Sequence, residues 1–194
     1  MDEKAIKADL RKARLSARDA LSTETRIEKS LAIADHAGDH LAIEPGMVVS
    51  GFLPIRSEAD IRPLMHRLRA RGAVLTLPAI LDRQTIAFRE FAQGVPLIDT
   101  GFGTSGPPES AAILDPMLLL MPLSAFDAAG NRIGYGAGHY DRAIARLHDK
   151  GLKPVLVGIA FDCQEVDSVP AEPHDVPLDA IVTESGLRFF AKGS

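Results

Sequence analysis

The sequence predicts an α/β fold preceded by helices, and three observations carry that prediction. Short, nearly continuous apolar runs at 47–53, 73–77, 117–121, 153–161 and 180–182 are too brief for helices and read as buried strands. Amphipathic, helix-period stretches at 59–71 and 143–150 lie between them. Strand, helix, strand over 47–77 is the length of a right-handed crossover unit, which makes the two strands a parallel pair.

A chain of 194 residues suits one domain, 1–194, with a helical segment over 1–42 and an α/β sheet core over 46–190. Hydrophobic residues make up 46% and charged residues 25%, the balance of a core-forming protein. The net charge of −4 speaks against a general nucleic-acid binder, which would carry a basic surplus. Cys163 is the single cysteine, so an internal disulfide is excluded and a reducing compartment fits. No secretory signal is visible, and no apolar run approaches the roughly 20 residues that span a bilayer. The expectation is a cytoplasmic protein acting on small molecules, with no nucleic-acid or membrane partner, monomeric with a dimer as the alternative.

Residues 3–21 read as an amphipathic helix whose apolar stripe is Ile6, Leu10, Ala13, Ala17 and Leu21. A second stripe holds Lys7, Arg11, Arg14 and Arg18. Such a stripe is ordinarily a solvated face; alternatively Lys7 and Arg11, one turn apart, reach a single phosphate. Ser22 or Thr23 caps the next helix, which runs to about Leu41. His36 and His40 share a face of it but lack the acidic or cysteine partners of a zinc site, so they read as surface histidines. Pro54 stops the first strand and Pro78 the second. Glu58 sits in the loop before the 59–71 helix, whose apolar face is Ile61, Leu64 and Leu68. Residues 85–91 alternate and follow a tight turn, predicting an antiparallel strand. The stretch 93–110 reads as a long irregular binding loop, and 187–190 as a last edge strand.

The chain's most informative stretch is 130–142, where Gly134, Gly136 and Gly138 alternate between Arg132 and Asp141. It stands between the apolar strand 117–121 and a helix. Glycines allow positive φ, so successive backbone N–H groups point into one concavity, and the helix start adds unpaired donors and positive dipole. An arginine and a carboxylate beside such a loop suit a phosphate and its magnesium ion. The P-loop and dinucleotide fingerprints both fail here: no Lys-Ser/Thr follows the glycines, and His139 stands where the third fingerprint glycine belongs. From spacing alone, a nucleotide or phosphate ester binds at this loop.

The run 125–142 resembles the signature of the 5-formyltetrahydrofolate cyclo-ligases, also called methenyltetrahydrofolate synthetases. The likeness extends to Lys7 and Arg11 in the first helix, to Leu53 and Glu58 after the first strand, and to His174-Asp175 followed by 177–184. It implies an open, mostly parallel sheet with helices on both faces, the three-layer architecture of ribose-phosphate isomerases and coenzyme A transferases. It also implies ATP- and magnesium-dependent cyclisation of 5-formyltetrahydrofolate to 5,10-methenyltetrahydrofolate, with ADP and phosphate released. In such a reaction the γ-phosphoryl group activates the formyl oxygen, N10 attacks the activated carbon, and phosphate leaves.

Carried onto this sequence, the resemblance implies that Lys7, Arg11, Arg132, Ile133, Gly134, Tyr135, Gly136, Ala137, Gly138, His139 and Tyr140 hold ATP. Leu53 and Glu58 contact the folate, with Tyr135, Gly136, Ala137, Gly138 and His139 also facing its formyl group. Asp141 and Asp179 hold magnesium, and Arg132, Tyr140 and Asp141 are the catalytic group. Phe52, Phe102 and Phe126 are candidates to line the pterin slot, with the core as the alternative place for each. Where many members carry a loop cation and paired tyrosines, this chain has Tyr135, Ala137 and His139, and Arg132 or Arg142 is the expected substitute. Two alternatives stand beside this reading: a non-catalytic nucleotide- or folate-binding module on the same scaffold, and an isomerase or acyl transferase of the same architecture. The glutamate nucleophile motif expected of the last is absent.

Overall fold

A computed structural model describes residues 2–101, 104–173 and 175–191. Two helices come first, α1 (Glu3–Asp19) and α2 (Thr23–Gly38). The Asp2 carboxylate accepts the Lys4 N–H and the Ser22 hydroxyl accepts the Thr25 N–H, each satisfying a donor that a helix start leaves open. Strand β1 (Val48–Ser50), helix α3 (Arg62–Ala70) and strand β2 (Val74–Ile80) form the predicted parallel crossover. Then come β3 (Ile86–Glu90), β4 (Ile98–Gly101), β5 (Thr104–Gly106), β6 (Leu118–Pro122), β7 (Ala125–Phe126) and β8 (Arg132–Ile133). Helix α4 (His139–Asp149) follows the glycines, and β9 (Val155–Ile159), β10 (Ala180–Thr183) and β11 (Gly186–Phe189) close the chain.

Seven strands form one sheet in the order β11-β10-β9-β6-β1-β2-β3, parallel except at its two edges, where β3 and β11 run antiparallel. In β6, Leu118 and Leu120 point into one core with α2 and α3, while Leu119 and Met121 point into a second core with α4. Helices on both faces of a mostly parallel sheet are the predicted three-layer architecture. A strand buried on both faces reads as continuous apolar sequence, which is why 117–121 shows no alternation. No helix of the described residues is long and apolar enough to cross a membrane.

Three local expectations are corrected. Pro78 does not end β2. The Leu75 carbonyl accepts the Phe91 N–H, so odd-numbered residues of β2 face β3, and the missing N–H of Pro78 falls on the other side, past the end of β1. The stretch 93–110 is not wholly irregular, because β4 and β5 pair as an antiparallel hairpin. The basic stripe of α1 faces the protein rather than solvent: Arg18 is buried, Lys7, Arg11 and Arg14 are partly covered, and Ala13 of the apolar stripe is exposed.

Candidate active site

The parallel strands end together near Pro122, and the chain leaving β6 builds the site there. Ser124 turns it, donating from N and Oγ to the Ile133 carbonyl, each at 2.7 Å. Asp127 then ties off the short β7–β8 hairpin. Its buried carboxylate accepts N–H groups of Ala129, Asn131 and Val169 at 2.9, 3.0 and 2.9 Å. Gln164 braces the same corner from the far side, donating to the Leu123 carbonyl at 2.7 Å. Asp127 and Gln164 shape the loop from outside the cleft lining, and the far partners of both, Val169 and Leu123, are backbone groups that local sequence does not reveal.

Beyond β8 the chain runs through Gly134–Gly138, with φ +98° at Gly136 and +66° at Gly138, conformations that glycine adopts without steric cost. Gly138 is the N-cap of α4 and offers no side chain, so the first N–H groups of α4 lack both intrahelical and capping partners. This uncapped helix start opens on a cleft of about 440 Å³. The cleft is lined by Lys4, Lys7 and Arg11 from α1, by every residue from Arg132 to Asp141, and by Glu172 and Asp175. The structure therefore brings Lys7 and Arg11 to the glycine loop, together with all of the expected loop residues.

The charges in the cleft are held in defined pairs. Lys7 Nζ lies 2.8 Å from Glu172 Oε2 and 2.6 Å from Asp175 Oδ2. Burial works against the Lys7 charge, but hydrogen bonds and attraction from the two carboxylates outweigh it and hold its pKa above the usual lysine range. Arg11 Nε donates to the Gly134 carbonyl at 2.8 Å, fastening α1 to the loop. Arg132 Nη2 donates to Asp141 Oδ1 at 2.6 Å, with the arginine side chain 8% exposed. Arg132 Nε and the Tyr140 hydroxyl are buried and have no hydrogen-bond partner among the described residues. A buried donor left unpaired costs about 1–3 kcal/mol, so two of them on one cleft wall mark a place where something else is meant to accept. Burial pushes the Tyr140 hydroxyl pKa well up, so it stays a donor.

Tyr135 joins this cleft to Glu58. Its hydroxyl accepts from Arg18 Nη1 at 2.7 Å and lies near the Glu58 carboxylate. Glu58 also accepts the Ile55 N–H at 2.8 Å, closing a turn in which Arg56 takes a left-handed φ of 55°. Burial pushes the Glu58 pKa up, while Tyr135, the Ile55 N–H and Arg18 oppose that rise. Leu53 is half-buried against the α2–α3 core and, like Glu58, lies outside the cleft lining itself.

His139 and Arg142 have structural partners. His139 Nε2 lies 3.0 Å from the Arg83 carbonyl and carries the proton in that bond. Arg142 donates to the carbonyls of Ala137 and Gln84 at 2.6 and 2.7 Å. Of the two expected substitutes for a loop cation, Arg132 is the one with a buried donor left unpaired. Cys163 sits half-buried in a short 3-10 turn (Asp162–Gln164), and burial pushes its thiol pKa up, against nucleophilic character.

Asp179 does not join Asp141. Its carboxylate accepts the Leu156 N–H at 2.8 Å at the start of β9, beside a second hollow at the opposite end of the parallel strands. Leu156 is level with Leu119 near the start of β6, so about three strand steps, or about 10 Å, separate Asp179 from the Pro122 end. Asp179 lines that second hollow and Asp141 the cleft, so the two aspartates do not share one lining. Phe52 and Phe126 are also corrected: both are core residues, outside the lining of the cleft. Phe102 and His174 lie outside the described residues.

Residues 3–184 match the model of the 5-formyltetrahydrofolate cyclo-ligase family. The chain belongs to that family. A 5-formyltetrahydrofolate cyclo-ligase of Escherichia coli K12 is 30% identical over 174 residues, covering 87% of this chain and 94% of the relative. One from Haemophilus influenzae is 26% identical over 179 residues, covering 89% and 92%. The solved structure of Aquifex aeolicus 5,10-methenyltetrahydrofolate synthetase superposes with a TM-score of 0.81 at 28% identity, covering 97% of this chain and 95% of that one. This protein is accordingly an enzyme of the cyclo-ligase class. Membership selects it over the non-catalytic module and over the isomerases and acyl transferases of similar architecture.

Proposed function

We propose that this protein converts 5-formyltetrahydrofolate to 5,10-methenyltetrahydrofolate at the expense of ATP, with magnesium, releasing ADP and phosphate. The observation that carries the nucleotide part is the buried, unpartnered Nε of Arg132, set beside the uncapped start of α4 and the Lys7/Arg11 face of α1. This donor set has the chemistry of a triphosphate cradle: backbone N–H groups, three cations within one cleft and a low-dielectric wall. Magnesium asks less of the protein, since it is usually held by one or two carboxylates with phosphate oxygens and water. Asp141 suits it, as a carboxylate on the cleft beside Arg132; when bound, the ion neutralises phosphate charge.

In this reading Lys7 and Arg11 fix the triphosphate, and the Gly134–Gly138 amides wrap it. Arg132 and the Tyr140 hydroxyl donate to the phosphoryl group as it passes to the formyl oxygen. Positioning and charge neutralisation supply most of the catalysis in phosphoryl transfer, so the lack of an activated nucleophile is in keeping. Glu58 accepts N–H donors of the folate, and Tyr135, on the cleft with its hydroxyl near Glu58, marks the junction of the two substrates. Mixing protein, ATP, magnesium and 5-formyltetrahydrofolate tests the proposal. The near-ultraviolet absorbance of the methenyl product is expected to rise only when all four are present, and folded protein that gives none would reject the reaction.

Glu58→Gln separates binding from stability. The variant is expected to raise the folate KM about tenfold or more, as loss of a charged acceptor does. Its melting temperature is expected to hold or to rise by about 2–4 °C. The sign follows from linkage: a carboxyl whose folded pKa lies above its unfolded value costs stability once it ionises. That cost grows as pH rises through the folded value, and glutamine removes it. A clear fall in melting temperature at neutral pH would contradict this account of Glu58.

A further inference from the structure

Arg18 lies outside the phosphate cleft, yet it is among the most buried charged residues of the described chain, 3% exposed. It stands on the same face of α1 as Lys7 and Arg11, eleven residues and about three turns (~16 Å) beyond Lys7. Its Nε donates to Ser57 Oγ at 2.9 Å and its Nη1 to the Tyr135 hydroxyl at 2.7 Å. The Ser57 hydroxyl in turn bonds the Asp19 carboxylate. One guanidinium therefore joins α1, the 55–58 turn and the glycine loop.

We propose that Arg18 is a positioning residue for the folate, clamping the Tyr135 hydroxyl and through it the Glu58 carboxylate. The inference rests on the reading of Glu58 as the folate acceptor. Tyr135 is 46% exposed, lining the cleft while its hydroxyl is tied inward to Arg18. A residue serving the core alone would not leave that side chain open. Glu58 commits Oε2 to the Ile55 N–H and has Tyr135 and Arg18 close by, so its orientation is restrained by groups from three parts of the chain. The groups facing Glu58 are Arg18 from α1, Tyr135 from the loop, Tyr140 from α4 and the Ile55 N–H from its own turn. Arg18 is the cation of that set, and it favours the ionised acceptor that a burying environment would otherwise protonate. The face of α1 thus sets the spacing between the phosphate end and the folate end of the site.

Three variants test the clamp. Arg18→Met is expected to raise the folate KM about tenfold, the loss of one charge-assisted hydrogen bond, with the ATP KM changed less than about twofold. The acid limb of kcat/KM for folate is expected to move to higher pH. Tyr135→Phe is expected to raise the folate KM similarly, and to add little in the Arg18→Met background, because both remove one linked unit. Arg18→Lys, which keeps the charge, is expected to restore the acid limb and part of the KM. Equal rises in both KM values, or an unmoved pH profile in a folded Arg18→Met protein, would overturn the clamp. The Glu58 carboxyl titration followed by carbon-13 NMR provides a substrate-free readout. An upward move in Arg18→Met supports the clamp and an unchanged titration refutes it. Wild-type protein that turns over no folate would refute the proposed reaction, leaving this titration to judge the clamp. Should Arg18→Met fail to fold, Tyr135→Phe and Arg18→Lys carry the same comparisons.

Discussion

Arg132→Met is expected to lower kcat about a thousandfold, the scale on which a preorganised cationic donor acts in phosphoryl transfer, with little change in melting temperature. The two halves of that expectation have separate causes. Arg132 is nearly buried, donates through Nη2 to Asp141 and leaves Nε unpaired. Removing it deletes an ion pair to a carboxylate that stays partly solvated, and at the same time deletes a desolvated donor that nothing satisfies. These terms oppose each other in the folded protein. In the reacting complex they do not, since the orphaned donor belongs to a residue that lines the cleft. Steady-state kinetics at saturating ATP and magnesium, with a thermal melt beside them, checks both. A variant within tenfold of wild-type kcat would remove Arg132 from the chemistry. Asp141→Asn gives the companion result: turnover falls strongly, and raised magnesium recovers part of it if Asp141 holds the ion, whereas recovery independent of magnesium would remove that role.

Lys7→Met is expected to raise the ATP KM about 10- to 100-fold, as loss of a charge-assisted phosphate contact does, while kcat falls less. Its effect on the free protein is distinct from that of Arg132. Lys7 sits between Glu172 and Asp175, and without it two carboxylates face each other across a few ångströms. The variant is therefore expected to be less stable at neutral pH and to recover as pH falls and the carboxylates protonate. In the wild type the sign is the same but the window is alkaline. A lysine whose folded pKa exceeds its unfolded value contributes stability that is fully present below the unfolded value and lost as pH rises through the folded one. Thermal melts from acid to alkaline pH distinguish the two curves, and parallel curves would show that the triad contributes nothing to stability.

Local features were legible in the sequence wherever chemistry and chain direction coincide. The order of apolar strand, alternating glycines and helix announced an anion site because positive φ, strand end and helix start are each written in adjacent residues. Membership of a family then tied Lys7, Arg11 and Glu58 to that loop. The basic stripe of α1 was ambiguous on its own, since four cations at helical spacing look alike whether water or protein covers them. Their partners lie far along the chain: Arg11 meets Gly134 across 123 residues and Lys7 meets Asp175 across 168. No window of sequence contains both halves of such a contact.

Asp179 shows the same limit from the other side. The family resemblance paired Asp179 with Asp141, but a motif does not tell at which end of the sheet its residue stands. Because β10 runs parallel to β6, the residue before it lies at the amino-terminal end, where the Leu156 N–H takes its carboxylate. Phe52 and Phe126 were misplaced for a related reason, since an apolar side chain near a loop serves core or pocket according to which neighbours close over it. The sequence by itself determined the main strands and helices, the parallel pairing of β1 with β2 and the glycine loop, all of which follow from backbone sterics and short-range periodicity. Tertiary packing alone decided that the charged face of α1 turns inward, that Arg18 reaches Tyr135 and that Asp179 lines the second hollow, because burying a charge depends on partners that only the closed fold supplies.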